Sequence, residues 1–484
     1  MKNKKSIILI LFFIAITMLF FSYGVVITFD SSHYLWLTSL LTPEGNISNW
    51  DIARGPVFPM IIRTFNILFG QSTKGVLAGM FIFYLLMLLG CYLIYRDTIK
   101  NEEFISNKMK AFLAVAFIFL IAINPMIIGY YHTLLTEFVA ITLGIIGCYL
   151  AWKWIGINFK ENKGKYIVYT VILSVLTAVS WLLKQPYVST ILFPTVVAAL
   201  VSFIRNTSWK NFLQRFISLV SCVIVLAVSL KGWNIILKNN DVNMREDRSS
   251  SGFFANGIVS GLEGYDAREG TISTEDAIKF WISEFKKSPI IIAQKYITNY
   301  LATISIYSID FDVMKIIIDK KIDFTHTAEI GIIGFRIFEY GNECVFSLSE
   351  KYSMYAEPYK EINKPIVASN FIMRKLILPD TIAMKLSYLA LPIMVIISIV
   401  FVFRTKKRYN QKYGRIIDMI TILFTYSFLN ILAYSLLGST IDRYTMPSLV
   451  TTYIGILLSI YAILYRKNYK KEEIKMLEKE KIEK

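Results

Sequence analysis

Cysteine is scarce in this sequence. Among 484 residues there are four cysteines, at Cys91, Cys148, Cys222 and Cys344. Their spacing fits neither the paired ligands of a metal site nor a disulfide framework. Three of them fall inside apolar runs, where cysteine acts as a small apolar residue. Cys344 stands alone in a polar segment, so a disulfide within that segment is excluded.

Charge is also sparse, and long apolar runs take its place. Charged residues make up 18% of the chain, hydrophobic residues 55%, and the mean hydropathy is +0.50. A soluble domain of this length would carry more charge and fewer unbroken apolar runs. Because a bilayer core requires about 20 consecutive apolar residues per helix, we predict transmembrane helices at 6–28, 75–95, 111–130, 134–152, 166–183, 186–204, 216–237, 382–403, 416–437 and 446–465.

The first run resembles a signal peptide, because it follows a lysine-rich start. It is long enough to span a bilayer and has no small-residue cleavage site, so we expect an uncleaved helix. The predicted fold class is therefore a membrane all-α protein, a polytopic bundle of about ten transmembrane helices.

The net charge of +17 does not indicate nucleic-acid binding. Residues 238–380 hold 17 basic and 20 acidic residues, a net of −3. The positive excess therefore lies in both tails and in the loops 96–110, 153–165, 205–215 and 404–415. The intervening short loops have almost no basic residue beyond Lys184 and Arg443. This alternation is the positive-inside pattern, and it predicts a multi-pass cell-membrane protein with both termini cytoplasmic.

The predicted organisation has four parts. Residues 1–237 form an N-terminal transmembrane module of about seven helices, whose first outer loop, 29–73, is broken by prolines into short amphipathic helices. Residues 238–380 are long enough for a small extracytoplasmic domain, α or α/β. Residues 381–465 form a C-terminal module of about three helices, and 466–484 form a charged cytoplasmic tail. There is no internal repeat.

Two helices are predicted within the extracytoplasmic domain, and the glycine-rich stretch 249–270 is predicted to be a loop. The first helix starts at Ser273, which would cap it ahead of two acidic residues in the first turn. The second is the apolar run 289–306. It is interrupted by Gln294, Lys295 and Asn299, so it would lie along the membrane surface rather than cross it.

Ionisable residues near the membrane are costly, so their positions are informative. The predicted topology places a cluster of them at the outer ends of the helices: Asp30, His132, Glu137, Lys184, Lys231 and Arg443. Asp418, at the cytoplasmic start of a span, is the exception. Taken singly, each has a structural explanation, such as a carboxylate at a helix start or a lysine that reaches the interface. Together they indicate a site for a charged head group.

Motifs around these residues resemble a known class. Phe29-Asp30-Ser31-Ser32-His33-Tyr34-Leu35 is followed by Arg54-Gly55-Pro56-Val57-Phe58-Pro59 and then Leu68-Phe69-Gly70. Further along come Leu134-Leu135-Thr136-Glu137, Lys184-Gln185-Pro186 and Arg443-Tyr444-Thr445-Met446-Pro447. In order and sidedness this series resembles the membrane glycosyltransferases of the GT-C class, which include protein O-mannosyltransferases and the lipid A aminoarabinose transferase.

The resemblance covers about the first 210 residues and the late motif. It does not extend to the outer domain. It departs from the class at one place, because Ser31 follows Asp30 where many relatives carry a second acid. Asp51 is an alternative second carboxylate.

The resemblance implies a sugar donor linked to a polyprenyl phosphate, in the cell envelope of a bacterium. Asp30 would act as general base on an acceptor hydroxyl, and transfer in one displacement would invert the anomeric carbon. Lys184, Arg443 and Arg54 would stabilise the leaving phosphate. Glu137 with His132 would position the acceptor or a basic residue, and Tyr34 and Tyr444 would line the substrate site.

The expected partners are the lipid-linked sugar, the bilayer and an acceptor that is a protein, a lipid or a glycan. No glycine-rich nucleotide loop and no metal-binding carboxylate cluster is evident in the sequence, which argues against a nucleotide-sugar donor. No cofactor is expected to be required, and a divalent cation is compatible with the chemistry.

Three other functions fit the sequence less well. A transporter or flippase would show broken or polar helices near the bilayer midplane, whereas these runs are mostly apolar at their centres. An oligosaccharide ligase or polymerase would use a diphosphate-linked donor. A receptor would leave the cluster on the short outer loops without a role.

Overall fold

The computed structural model describes residues 2–22, 25, 27, 29–99, 106–243, 259, 274–304, 354–359, 371–405, 412–436 and 442–482. The regular elements within these ranges are all helices, which confirms the predicted all-α membrane fold. In chain order the α-helices are α1 Lys2–Phe21, α2 Phe29–Ser39, α3 Val57–Phe69, α4 Thr73–Ile99, α5 Asn107–Phe117, α6 Pro125–His132, α7 Glu137–Ile155, α8 Lys163–Leu183, α9 Ser189–Arg205, α10 Trp209–Asn239, α11 Thr274–Lys287, α12 Pro289–Ile304, α13 Phe371–Arg404, α14 Lys412–Leu436 and α15 Asp442–Ile482.

The predicted spans correspond to helices one by one. Eight described helices are long and apolar enough to cross a membrane: α4, α7, α8, α9, α10, α13, α14 and α15. Lys108–Ala122 and Pro125–His132 meet at an angle of 40° and would make a ninth, broken span if the two cross the membrane together. The first predicted span corresponds to α1. The protein is therefore a multi-pass membrane protein by the length and composition of its helices.

The boundary predicted for the first span was wrong. The sequence suggested a helix over 6–28 with Asp30 at its end, but α1 ends at Phe21. The next residue, Ser22, turns its hydroxyl back to the carbonyl oxygen of Leu19 at 2.7 Å, so the hydroxyl bonds to the carbonyl end of the helix. Asp30 instead lies in the first turn of α2.

The broken span has a local cause. A π-helical turn, Ile118–Ala122, follows α5, and Asn124 then caps α6 by accepting a hydrogen bond from the Ile127 amide at 2.9 Å. Pro125 opens α6 and cannot donate the amide hydrogen that a continuous helix would need. These two halves therefore form separate helices within one predicted run.

Helix α7 is the centre of the bundle. Of its most apolar 18-residue stretch, 83% is buried inside the protein, whereas the corresponding share for α10 is 17%. It packs against α4, α9, α14 and α15, whereas α10 turns apolar side chains such as Ile224 and Val228 outward. Outward apolar residues are expected of helices at the edge of a membrane bundle, where they contact lipid.

Buried arginines tie together the end of the bundle where α7 ends. Arg205 and Asp418, both fully buried, form an ion pair at 2.8 Å between α9 and α14. Arg215 donates to the carbonyl oxygens of Trp154, Ile155 and Ile157. Since the last carbonyls of a helix lack partners within it, this arginine satisfies the C-terminal end of α7. Asp418, which the sequence marked as an exception, thus belongs to a structural contact.

The described parts of 238–380 rest on the ends of the bundle. Helix α11 begins at Thr274, next to the predicted cap. Helix α12 lies against α14, and Asn299 donates to the Ser435 carbonyl oxygen at 3.1 Å. Tyr359 is buried, and its hydroxyl donates to Asn66 of α3 at 3.0 Å. The loop predicted at 249–270, Cys344 and most of the remaining segment lie outside the described residues.

Candidate active site

Asp30 is paired with the arginine of the Arg54-Gly55-Pro56 motif. Because a helix start favours an acidic residue, Asp30 fits the first turn of α2. Its Oδ1 accepts a hydrogen bond from Arg54 Nη2 at 2.9 Å. Nη1 of the same arginine donates to the Tyr34 hydroxyl at 3.2 Å, and the guanidinium lies 5.1 Å from the centre of the Tyr34 ring. The side chains of Asp30 and Arg54 are 19% and 20% exposed, so a ligand can reach them.

A second acid lies on the same loop. Asp51 Oδ1 accepts a hydrogen bond from the Ala53 amide at 3.0 Å, and its Oδ2 lies 3.2 Å from His33 Nε2. Burial lowers the pKa of Arg54, but the charges of Tyr34, Asp30 and Asp51 raise that pKa more, and the result lies above its ordinary value. Arg54 is therefore a permanent cation close to two acids, and Asp51 remains the alternative second carboxylate.

Glu137 and Lys184 form a second acid–base pair, built from different segments. Glu137 is fully buried in the first turn of α7, and its Oε1 lies 3.8 Å from Lys184 Nζ. The ammonium group donates to the Tyr444 hydroxyl at 3.3 Å and lies 4.5 Å from the centre of that ring. Tyr444 in turn stacks on Tyr434, with ring centres 5.2 Å apart. A buried carboxylate requires such a partner.

The two pairs lie at the same end of the bundle. The ring of Phe58, four residues after Arg54, lies 4.8 Å from Tyr34 and 5.8 Å from Phe138, the neighbour of Glu137. Gly55 lies so close to the backbone of α8 that an added Cβ would overlap the Leu182 carbonyl oxygen. The loop with Arg54 is therefore seated on the segment that carries Lys184.

His132 has a different environment from the one predicted. It is fully buried, and its ring nitrogens lie 2.9 Å from the carbonyl oxygens of Ile128 and Phe20. Its ring also packs on Phe20 at 4.1 Å. These contacts join α6 to α1, which gives His132 a structural role. Its predicted contact with substrate stays a prediction without support in this geometry.

The backbone of Arg443 lies in the first turn of α15, next to Tyr444. Its side chain lies outside the part of the chain that the structure describes. Phe58 belongs to the Arg54-Gly55-Pro56 motif, whereas the sequence did not single out the packing partners Phe138 and Tyr434. Aromatic residues are so common in this chain that nothing in the sequence marks these two.

A metal site is not formed by the described residues, since no group of three or more His, Cys, Asp or Glu side chains comes together among them. The described cysteines, Cys91, Cys148 and Cys222, are buried and unpaired with one another. The arrangement offers three carboxylates, Asp30, Asp51 and Glu137, and two cations, Arg54 and Lys184. All of these side chains except Glu137 are partly exposed, so a charged substrate can reach them.

Comparisons with known proteins give one distant structural likeness. No family model matches the chain, and no curated protein does either. Among solved structures, the chain is similar to ArnT from Cupriavidus metallidurans in the apo state, with 12% identity over 94% of this chain and 78% of that chain and a TM-score of 0.35. ArnT is a GT-C aminoarabinose transferase. At this identity and TM-score, the functional proposal rests on the residues of this chain.

Proposed function

We propose that the protein is a membrane glycosyltransferase that moves a sugar from a polyprenyl-phosphate donor to an acceptor hydroxyl on the extracytoplasmic side. The observation that supports this most is the pairing of Asp30 with Arg54 and of Glu137 with Lys184 at one end of the bundle. Segments far apart in sequence supply these groups, and packing joins them. Such a costly arrangement near a membrane favours a functional site.

Asp30 is the proposed general base. Arg54 donates a hydrogen bond to this carboxylate at 2.9 Å and so holds it in position, and the partial exposure of Asp30 lets an acceptor hydroxyl approach. The acceptor oxygen forms a bond to the anomeric carbon while its proton passes to Asp30. The bond from the anomeric carbon to the phosphate oxygen breaks, and its electron pair leaves with the lipid phosphate. One displacement of this kind inverts the anomeric carbon.

Lys184 is the proposed partner of the leaving phosphate. Its contact with Glu137 is 3.8 Å long, so the ammonium group can turn toward a phosphate without breaking a close hydrogen bond to the acid. In the absence of donor, Glu137 balances the charge of Lys184, and Tyr444 holds its position. Arg54 and Arg443 are proposed as further cations. A preorganised positive charge in a site of low dielectric lowers the barrier to departure of an anion.

Sidedness is part of the proposal. The positive-inside pattern favours cytoplasmic termini, and it favours an extracytoplasmic position for the end of the bundle that carries Asp30. This orientation is tested on intact cells with a membrane-impermeant thiol reagent. Single cysteines are placed at Ser48, in the first outer loop 29–73, and at Asn158, in the basic loop 153–165. Labelling at position 48 alone is expected. Labelling at position 158 alone would contradict the orientation.

The function is tested by donor consumption in purified protein reconstituted in lipid. A panel of polyprenyl-phosphate sugars and polyprenyl-diphosphate sugars is supplied with an envelope extract as acceptor. Wild type is compared with Asp30→Asn and with Asp276→Asn, a matched change on the exposed face of α11. We expect a monophosphate donor to be consumed by wild type and by Asp276→Asn only. Consumption of a diphosphate donor alone would favour the ligase or polymerase.

A transporter or flippase is a second candidate, and one observation favours it. The break between α5 and α6 brings the side-chain amide of Asn124 to the carboxylate of Asp380, which also accepts from the Tyr453 hydroxyl at 3.3 Å. Broken helices with ionisable partners are typical of transporters. Movement of a fluorescent lipid-linked sugar between leaflets, with no sugar transfer, would favour this function over catalysis.

A further inference from the structure

A second pair, Asp51 and His33, lies beside the Asp30–Arg54 pair and joins the same helix to the same loop. On α2, Asp30 and His33 lie three residues apart, which places them on one face of the helix. On the facing loop, Asp51 and Arg54 are also three apart, in a turn closed by the hydrogen bond from the Arg54 amide to the Asp51 carbonyl oxygen at 3.0 Å. The result is two contacts side by side, Asp30 with Arg54 and Asp51 with His33.

His33 lies among groups of both signs. Asp30 and Tyr34 are on its own helix, and Asp51 and Arg54 are on the loop packed against it. The loop also packs on α10 through the rings of Trp50 and Trp233, 5.2 Å apart, which adds no charge. The side chains of His33 and Asp51 are 13% and 25% exposed, so solvent screens their charges only in part.

The charge of this four-residue group depends on His33. Arg54 is a permanent cation, and Asp30 and Asp51 are both acids close to it. With a neutral imidazole the group carries one negative charge in excess, and with an imidazolium it is balanced. An anion that approaches Arg54 meets net repulsion in the first state and none in the second. Imidazole is the side chain that changes charge near neutral pH.

We infer that His33 takes up a proton when an anionic phosphodiester binds at the Asp30 end, so that protonation of His33 and donor binding favour each other. The imidazolium neutralises Asp51 and thereby leaves Arg54 available to Asp30 and the phosphate. The coupling is reciprocal, because each binding event changes the affinity of the other by the same factor. This inference rests on the proposed function, since that function supplies the phosphodiester.

Calorimetry detects the proton directly. A methyl polyprenyl phosphodiester is suitable as ligand, because its single negative charge does not titrate near neutral pH. Binding heats measured in two buffers of different ionisation enthalpy give the number of protons taken up. For wild type we expect a measurable uptake, above zero and at most about one proton, near neutral pH, and tighter binding at acid than at alkaline pH.

Three variants separate this role from a structural one. His33→Gln is expected to bind more weakly at acid pH and without proton uptake. His33→Lys, which keeps a permanent positive charge, is expected to bind without uptake and to hold its affinity at alkaline pH. His326→Gln removes the remaining histidine besides His33 and His132, and it is expected to behave as wild type.

The outcomes are distinct for the two proposals. Failure of folded wild type to bind the phosphodiester would contradict the proposed function and, with it, this inference. Binding without proton uptake in wild type, or uptake that persists in His33→Gln, would overturn the inference and leave the proposed function standing. If His33→Gln does not fold, His33→Lys decides the matter, because uptake that persists in it would overturn the inference as well.

Discussion

Replacement of Gly55 by alanine is expected to displace the loop that carries Arg54 from its contact with α8. The added methyl group would overlap the Leu182 carbonyl oxygen, and that oxygen belongs to helix backbone that cannot move aside easily. Because Leu182 lies two residues before Lys184, the clash falls between the two halves of the candidate active site. The loop must therefore shift away from α8, and Arg54 and Asp30 shift with it.

The size of the effect follows from the kind of contact. Overpacking of one methyl group in a tight interface costs about 1–3 kcal/mol. A displacement of about 1 Å between catalytic groups can lower the rate about 100-fold. Thermal unfolding of Gly55→Ala in lipid should thus show a loss of about 1–3 kcal/mol in stability. Donor turnover per folded molecule should fall by up to about 100-fold.

Gly164→Ala provides the matched control, because a Cβ there would meet no atom within 4 Å. Its stability is expected to change by less than about 1 kcal/mol, with turnover unaffected. If Gly55→Ala and Gly164→Ala turn over donor equally fast, the contact of this loop with α8 does not align the groups of the candidate active site.

Three further substitutions probe other parts of the molecule. Lys184→Met is expected to weaken phosphodiester binding by about 1.5–3 kcal/mol, the value of a hydrogen bond to a charged group, as measured by calorimetry; unchanged affinity would remove Lys184 from the phosphate site. Arg205→Met leaves the Asp418 charge buried and should cost about 3–5 kcal/mol of stability, with turnover per folded molecule retained. Desolvation lowers the pKa of Lys295 from its usual 10.5 to about 8. Between these pH values the unfolded state binds more protons than the folded state, so the free energy of unfolding should rise with pH from about 8 to 10.5. Lys295→Met should abolish that rise when unfolding is measured as a function of pH, and a rise that persists would contradict this cause.

Features that depend on local sequence were predicted well. Apolar runs of sufficient length identify spans because the bilayer demands them, and each predicted run corresponds to a helix or to a broken pair. The motifs that contain Asp30, Arg54, Glu137, Lys184 and Tyr444 pointed to the residues that pair at one end of the bundle. Loop charge and motif order carry that information in the sequence itself.

Features that depend on tertiary packing were not predicted. Helix α1 ends at Phe21, whereas the apolar run continues past it, so hydropathy does not mark this end. His132 next to the Glu137 motif suggested a substrate contact, but burial against Phe20, which is remote in sequence, gives it a structural environment. The contact of Gly55 with Leu182 likewise joins segments more than a hundred residues apart, and no spacing rule indicates it.

The role of Asp30 in proton transfer is decided by measuring turnover and donor affinity of Asp30→Asn in the same preparation. Loss of a general base is expected to lower turnover about 10²–10⁴-fold. Affinity for the phosphodiester should stay close to that of wild type or improve, because Arg54 loses an acidic competitor. Turnover at the wild-type rate in the folded variant would show that Asp30 is not the general base.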